Sequence, residues 1–161
     1  MSPFLTQLSY IVNSIFDQNF FLAVVVIIGL FFLLQKEFWQ AKIFLISLFL
    51  TAGLTFIIKR LVNAERPVDA LIKLSDHAFP SGHAALSFFM LVFLTFYVLK
   101  SEKSRFIKIL SIVIFSINAI LICLSRLVLK VHTLDQVIVG ALIGSIVTIL
   151  VIHFTNNRKE T

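Results

Sequence analysis

The 161-residue chain is predicted to be an all-α integral membrane protein: about five transmembrane helices in one bundle, plus an N-terminal amphipathic helix at the bilayer surface. Three observations predict this. Hydrophobic residues make up 59% of the chain and charged residues only 14%, more apolar surface than a soluble domain can hide. The apolar residues fall in runs near the ~20 residues a bilayer core requires, and the Lys and Arg residues gather in short clusters between those runs.

Ser2-Pro3 is a helix start, with Ser as the N-cap and Pro where its missing N–H costs nothing. Phe4, Leu5, Leu8, Ile11, Val12, Ile15 and Phe16 then share a face opposite Thr6, Gln7, Asn13 and Ser14. Such a segment is too polar to span; it suits the bilayer surface or a groove on the bundle. After Asp17-Gln18-Asn19, Phe20 to Leu34 is the first span. A turn over Gln35 to Gln40 carries Trp39 as an interface anchor, and Ala41 to Ile58 is the second span.

Lys59 to Pro80 is the longest polar interval; Pro67 and Pro80 argue against one continuous helix, and it is long enough to fold over a site. Gly82 to Leu99 is the third span, Lys100 to Lys108 a basic turn, and Phe106 to Leu124 the fourth span. Val137 to Phe154 is the fifth, with Gly140 and Gly144 allowing close helix approach. The hydrophilic tail from Thr155 to Thr161 is expected to fray. The single Cys123 lies in an apolar run and excludes an intramolecular disulfide; no cleavable leader is expected.

The net charge of +6 does not point to nucleic acid, because the basic residues form no single face. Lys36, Lys42, Lys100, Lys103, Arg105, Lys108, Arg158 and Lys159 fall on one side of a five-span layout, against Arg60, Lys73 and Lys130 outside the conspicuous motifs on the other. The positive-inside rule makes the first side cytoplasmic.

Polar residues capable of phosphate chemistry collect at span ends on the second side. They are Lys59, then six residues and Arg66-Pro67; Pro80-Ser81-Gly82-His83; and Ser125-Arg126, then five residues and His132. Each alone reads as a snorkelling cation, a helix stop or a helix cap. Together they offer guanidinium and ammonium donors for phosphate oxygens, helix-start amides for an anion, and two imidazoles.

These blocks, in this order and spacing, resemble the phosphatidic acid phosphatase type 2 superfamily of membrane lipid phosphatases over Lys59 to Gly140. The resemblance implies a single domain, 1–161, in which His132 attacks phosphorus and His83 protonates the leaving oxygen. It implies a phosphate site made of Lys59, Arg66, Ser81, Gly82 and Arg126, with no metal and no cofactor. The family usually carries Asp four residues after the nucleophilic His; here that position is Gln136, with Asp135 one residue early. Both share a helix face with His132, so either can orient it, and Gln136 is the expected partner.

Gln136 resembles the dolichyl diphosphatase branch, which implies a polyprenyl diphosphate such as an undecaprenyl carrier as substrate. Lipid A, phosphatidylglycerophosphate or phosphatidate fits the same phosphate pocket. The competing functions are a non-catalytic lipid-phosphate binding or transport protein and a phosphotransferase. The expected location is a bacterial cell membrane, with the site facing the periplasm or exterior.

Overall fold

The computed structural model describes residues 2–157 as six helices, with no strand among them. The helices are α1 (Pro3–Ile15), α2 (Gln18–Leu34), α3 (Phe38–Val62), α4 (Gly82–Lys100), α5 (Arg105–Val128) and α6 (Leu134–Asn157). The cytoplasmic charges expected at Arg158 and Lys159 lie outside the described residues. Of the tail expected to fray, Thr155 to Asn157 continue α6, and the remainder lies outside them too.

Four helices, α3 to α6, are each long and apolar enough to cross a membrane, and α1 with α2 forms a fifth candidate span bent by 51°. The 17 residues of α2 rise about 25 Å, short of a ~30 Å hydrocarbon core by themselves. The bend falls at Asp17, whose carboxylate accepts the Phe20 N–H at 2.8 Å and starts a new helix there. The first helix packs on α5 and buries Ser9 and Val12. Phe4, Leu5 and Ile11 stay exposed, because in lipid the apolar face of a helix turns outward.

Both helices that deliver cations to the site run further than their apolar stretches. Expected to end at Ile58, α3 continues to Val62, so Lys59 and Arg60 sit in its last turn; the left-handed Asn63, φ 51°, then closes it by donating to the Lys59 carbonyl. Expected to end at Leu124, α5 continues to Val128, placing Ser125 and Arg126 in its final turn. The hydrogen-bond ladder does not stop where the hydropathy falls, and charge at a helix C-terminus is favourable.

The core at the end away from the site is aromatic. Phe32, Phe44, Phe89 and Phe93 are buried together with Ile43 and Val151, the Phe44 and Phe93 rings 5.0 Å apart. Nearer the site, α4 and α6 meet through small residues. A Cβ at Gly140 would collide with the Ser81 carbonyl, and one at Gly144 with that of Ala85, so these glycines let the two backbones touch.

The segment from 63 to 81 folds back over this end of the bundle. Its hydrogen bonds run from Ala78 N–H to the Ala64 carbonyl and from Leu71 N–H to the Leu129 carbonyl, 2.9 Å each. An Asp69–Lys130 ion pair and a cis peptide at Phe79-Pro80 complete it. Tyr10 donates to the Leu71 carbonyl at 3.3 Å and ties α1 to the same segment.

Candidate active site

The starts of α4 and α6 are joined directly, the Ser81 N–H donating to the Gln136 carbonyl at 3.0 Å. Ser81 caps α4, its hydroxyl accepting from Ala84 N–H at 3.4 Å. Fully buried and occupied as a cap, Ser81 supports the first turn of α4 and does not line the cavity where the sequence reading put it. Gly82 and His83 do line it, and their amides lie in the first turn, where a helix supplies no acceptor.

This cavity of about 490 Å³ is also lined by Lys59, Arg66, Arg126 and His132, so every expected block reaches it. Arg126 is 1% exposed; its Nε donates to the Ser125 hydroxyl at 3.1 Å, while Nη2 is buried with no acceptor among the described residues. A guanidinium nitrogen so placed is costly until an anion meets it. The Arg66 guanidinium is spread over the Asp76 carbonyl, 3.0 Å from Nε, the Val131 carbonyl, 2.7 Å from Nη1, the Asp76 carboxylate at Nη2, and the His132 ring. Lys59 donates to the other Asp76 carboxylate oxygen at 2.7 Å and to the His77 carbonyl.

His132 Nδ1 lies 3.0 Å from Gln136 Oε1, which also receives the Thr133 N–H at 3.2 Å. An atom that takes a backbone N–H is the amide oxygen, and an amide oxygen only accepts, so the imidazole proton sits on Nδ1. The lone pair is then on Nε2, which accepts from Arg66 Nη1 at 3.3 Å, beside the cavity that His132 lines. Burial, and then the Arg66 charge, hold His132 down at about 4, so the ring is neutral at physiological pH. Asp135 is exposed and accepts from the Thr133 hydroxyl; of the two candidates within helical reach, only Gln136 meets His132.

Asp76, which the sequence reading did not single out, also lines the cavity, as do Asn13 and Asp17 from the junction of α1 and α2. Partial burial would raise its carboxyl, but the hydrogen bonds and charges of Lys59 and Arg66 outweigh this and bring it to about 2. The available signal was electrostatic: Lys59 and Arg66 at a membrane edge call for a counter-ion, and Asp76 lies within the same loop.

An apolar groove of about 190 Å³ runs between α2, α4 and α5, walled by Phe20, Val24, Met90, Leu94, Phe115 and Ile122. It reaches Ser87, one helical turn from His83.

The model of the PAP2 superfamily matches residues 40–160. The chain belongs to the PAP2 superfamily. Among similar members, lipid phosphate phosphatase epsilon 1, chloroplastic, of Arabidopsis thaliana is 36% identical over 100 residues, covering 62% of this chain. The match spans only 35% of that plant protein. Phosphatidylglycerophosphatase B of Bacillus subtilis is 25% identical over 98% of this chain and 79% of its own length. The crystal structure of a transmembrane PAP2-type phosphatidylglycerolphosphate phosphatase from Bacillus subtilis superimposes with a TM-score of 0.84 at 24% identity. That superposition covers 98% of this chain and 79% of the other, and it shows the shared PAP2 fold.

Proposed function

We propose that this PAP2 protein is a membrane phosphatase that removes phosphate from a lipid phosphate or diphosphate through a phosphohistidine. The observation that carries the reading is His132: a neutral imidazole whose Nδ1 proton is held by Gln136 and whose Nε2 lies beside a cavity lined by Lys59, Arg66 and Arg126. Nε2 attacks phosphorus, the bond from phosphorus to the lipid oxygen breaks, and His83, entering the step as imidazolium beside the bound anion, gives that oxygen its proton. Water then attacks the phosphohistidine, loses a proton to His83 and releases inorganic phosphate and neutral His132. The Gly82 and His83 amides and the cations hold the charge that develops on the phosphoryl oxygens. The lipid chain occupies the apolar groove below His83, residues 1–161 act as one domain, and no metal takes part.

Within this reading the proposed substrate is a polyprenyl diphosphate, supported by the Gln136 resemblance. The likeness to phosphatidylglycerophosphatase B supports phosphatidylglycerophosphate as the second choice. The charge asymmetry supports a site on the periplasmic or outer face of a bacterial cell membrane. Purified protein should release inorganic phosphate from at least one of undecaprenyl diphosphate, phosphatidylglycerophosphate, phosphatidate and lipid A, and orthovanadate should stop it. Phosphate binding without turnover on the whole panel would leave a binding protein; release only with a second acceptor lipid would make it a phosphotransferase.

A further inference from the structure

Asp76 holds both cations at the mouth of the cavity. One carboxylate oxygen is on Lys59 and the other on Arg66, an arrangement in which two oxygens of one anion bridge an ammonium and a guanidinium. Two phosphoryl oxygens would make the same bridge. Behind the carboxylate, the cations are fixed independently of it: Arg66 by the Asp76 and Val131 carbonyls, Lys59 by the His77 carbonyl. The Ala78 to Ala64 hydrogen bond anchors the backbone of this stretch. The Asp76 side chain is 55% exposed, so it can rotate into water without the loop unfolding or the cations moving. Arg126, which is buried, has no such acidic partner among the described residues.

We propose that Asp76 is a resident competitor: its carboxylate occupies the outer half of the phosphate site when no phosphate is bound, and must swing out for a phosphate group to enter. The proposal rests on the phosphate-site reading above and adds to it a threshold for occupancy. Competition of this kind weakens every anion by the same factor, the reciprocal of the fraction of time Asp76 is away. A diester headgroup, the form of most bilayer phospholipids, presents two unesterified oxygens and one negative charge; a terminal phosphate presents three such oxygens and up to two charges. The diester gains less from Lys59, Arg66 and Arg126 together, so the same uniform penalty leaves it unbound at bilayer concentration while a terminal phosphate still binds. The carboxylate also recaptures the two cations as inorganic phosphate leaves.

Calorimetric titration of the protein in detergent with inorganic phosphate, and separately with orthovanadate, tests this without relying on turnover. If Asp76 is in place nine-tenths of the time, Asp76→Asn tightens phosphate binding about tenfold. Asp76→Ser, which removes the carboxylate altogether, tightens it in the same direction. In vesicles of diester phospholipid, the Asp76→Asn protein becomes more strongly inhibited by the bulk lipid than wild type. Unchanged or weaker phosphate binding in both variants, with the wild type binding normally, would make Asp76 a brace for the cations and overturn the proposal. Absence of phosphate and vanadate binding to the wild type would instead remove the phosphate site itself. A purely structural Asp76 would shift the melting temperature of the phosphate-free protein and leave the binding constant where it was.

Discussion

Gly140→Ala is the substitution in which helix packing and chemistry separate most clearly. A Cβ there would collide with the Ser81 carbonyl oxygen and lie 3.2 Å from both the Ser81 carbonyl carbon and the Ala84 Cβ, with backbone as the obstacle. Backbone cannot rotate away as a side chain can, so α6 must back off α4. Overpacking of this kind costs roughly 1–3 kcal/mol, and replacing Gly by Ala inside a helix returns about 1 kcal/mol. The net loss of stability is therefore modest, about 0–2 kcal/mol. The displacement falls where the Ser81 N–H meets the Gln136 carbonyl, the joint that fixes the His83 turn relative to His132. A shift on the order of 1 Å between reacting groups is worth about a hundredfold in rate. Phosphate release by the purified variant should fall by about that factor while its melting temperature drops only a few degrees. Gly144→Ala, which meets Ala85 one turn further from the site, should cost similar stability and less activity. A Gly140→Ala protein within roughly twofold of wild type in rate would show that the joint between α4 and α6 does not position the chemistry.

Gln136→Ala should lower phosphate release at least about tenfold by freeing the His132 ring, while Asp135→Asn changes it little; the opposite ranking in single-turnover assays would make Asp135 the orienting group. The His132 ring, measured by nitrogen NMR of selectively labelled protein, should stay neutral through pH 6.5 and titrate near 4. Because its folded value lies below the unfolded one, the unfolded chain takes up the proton first; His132's contribution to stability is full above 6.5 and is lost as pH falls towards 4. A cysteine at Val68 in a Cys123→Ser background should react with an impermeant thiol reagent in intact cells and one at Ser101 should not, and the reverse pattern would invert the proposed orientation.

The placement of Lys59, Arg66, His83, Arg126 and His132 around one cavity was legible because span alternation can be counted from hydropathy, and alternation decides which ends share a side. The overrun of α3 and α5 was hidden by the same method, since polar residues such as Lys59 and Arg126 look like loop when only apolarity marks a helix. Periodicity showed that α1 has one apolar face but not what that face meets; packing against α5 turned Ser9 and Val12 inward and left Phe4 and Ile11 outside. The choice between Asp135 and Gln136 needed the structure, because residues three and four along a helix are equally near by spacing; Gln136 meets His132, while Asp135 takes the Thr133 hydroxyl. Asp76 carries no periodicity and no motif; its role depends on a loop returning to two cations distant in sequence.

The groove between α2, α4 and α5 bears on what happens once the ester is cut. It is apolar and lies against the membrane-spanning helices, while the cavity above it is bordered by the charged loop. In the proposed reaction the chain of the lipid product therefore slides sideways into the bilayer, and inorganic phosphate departs upward into water. Each product enters the phase in which it is the more soluble, so their reunion requires an encounter across a phase boundary. Partition then slows the reverse reaction by keeping the two products apart.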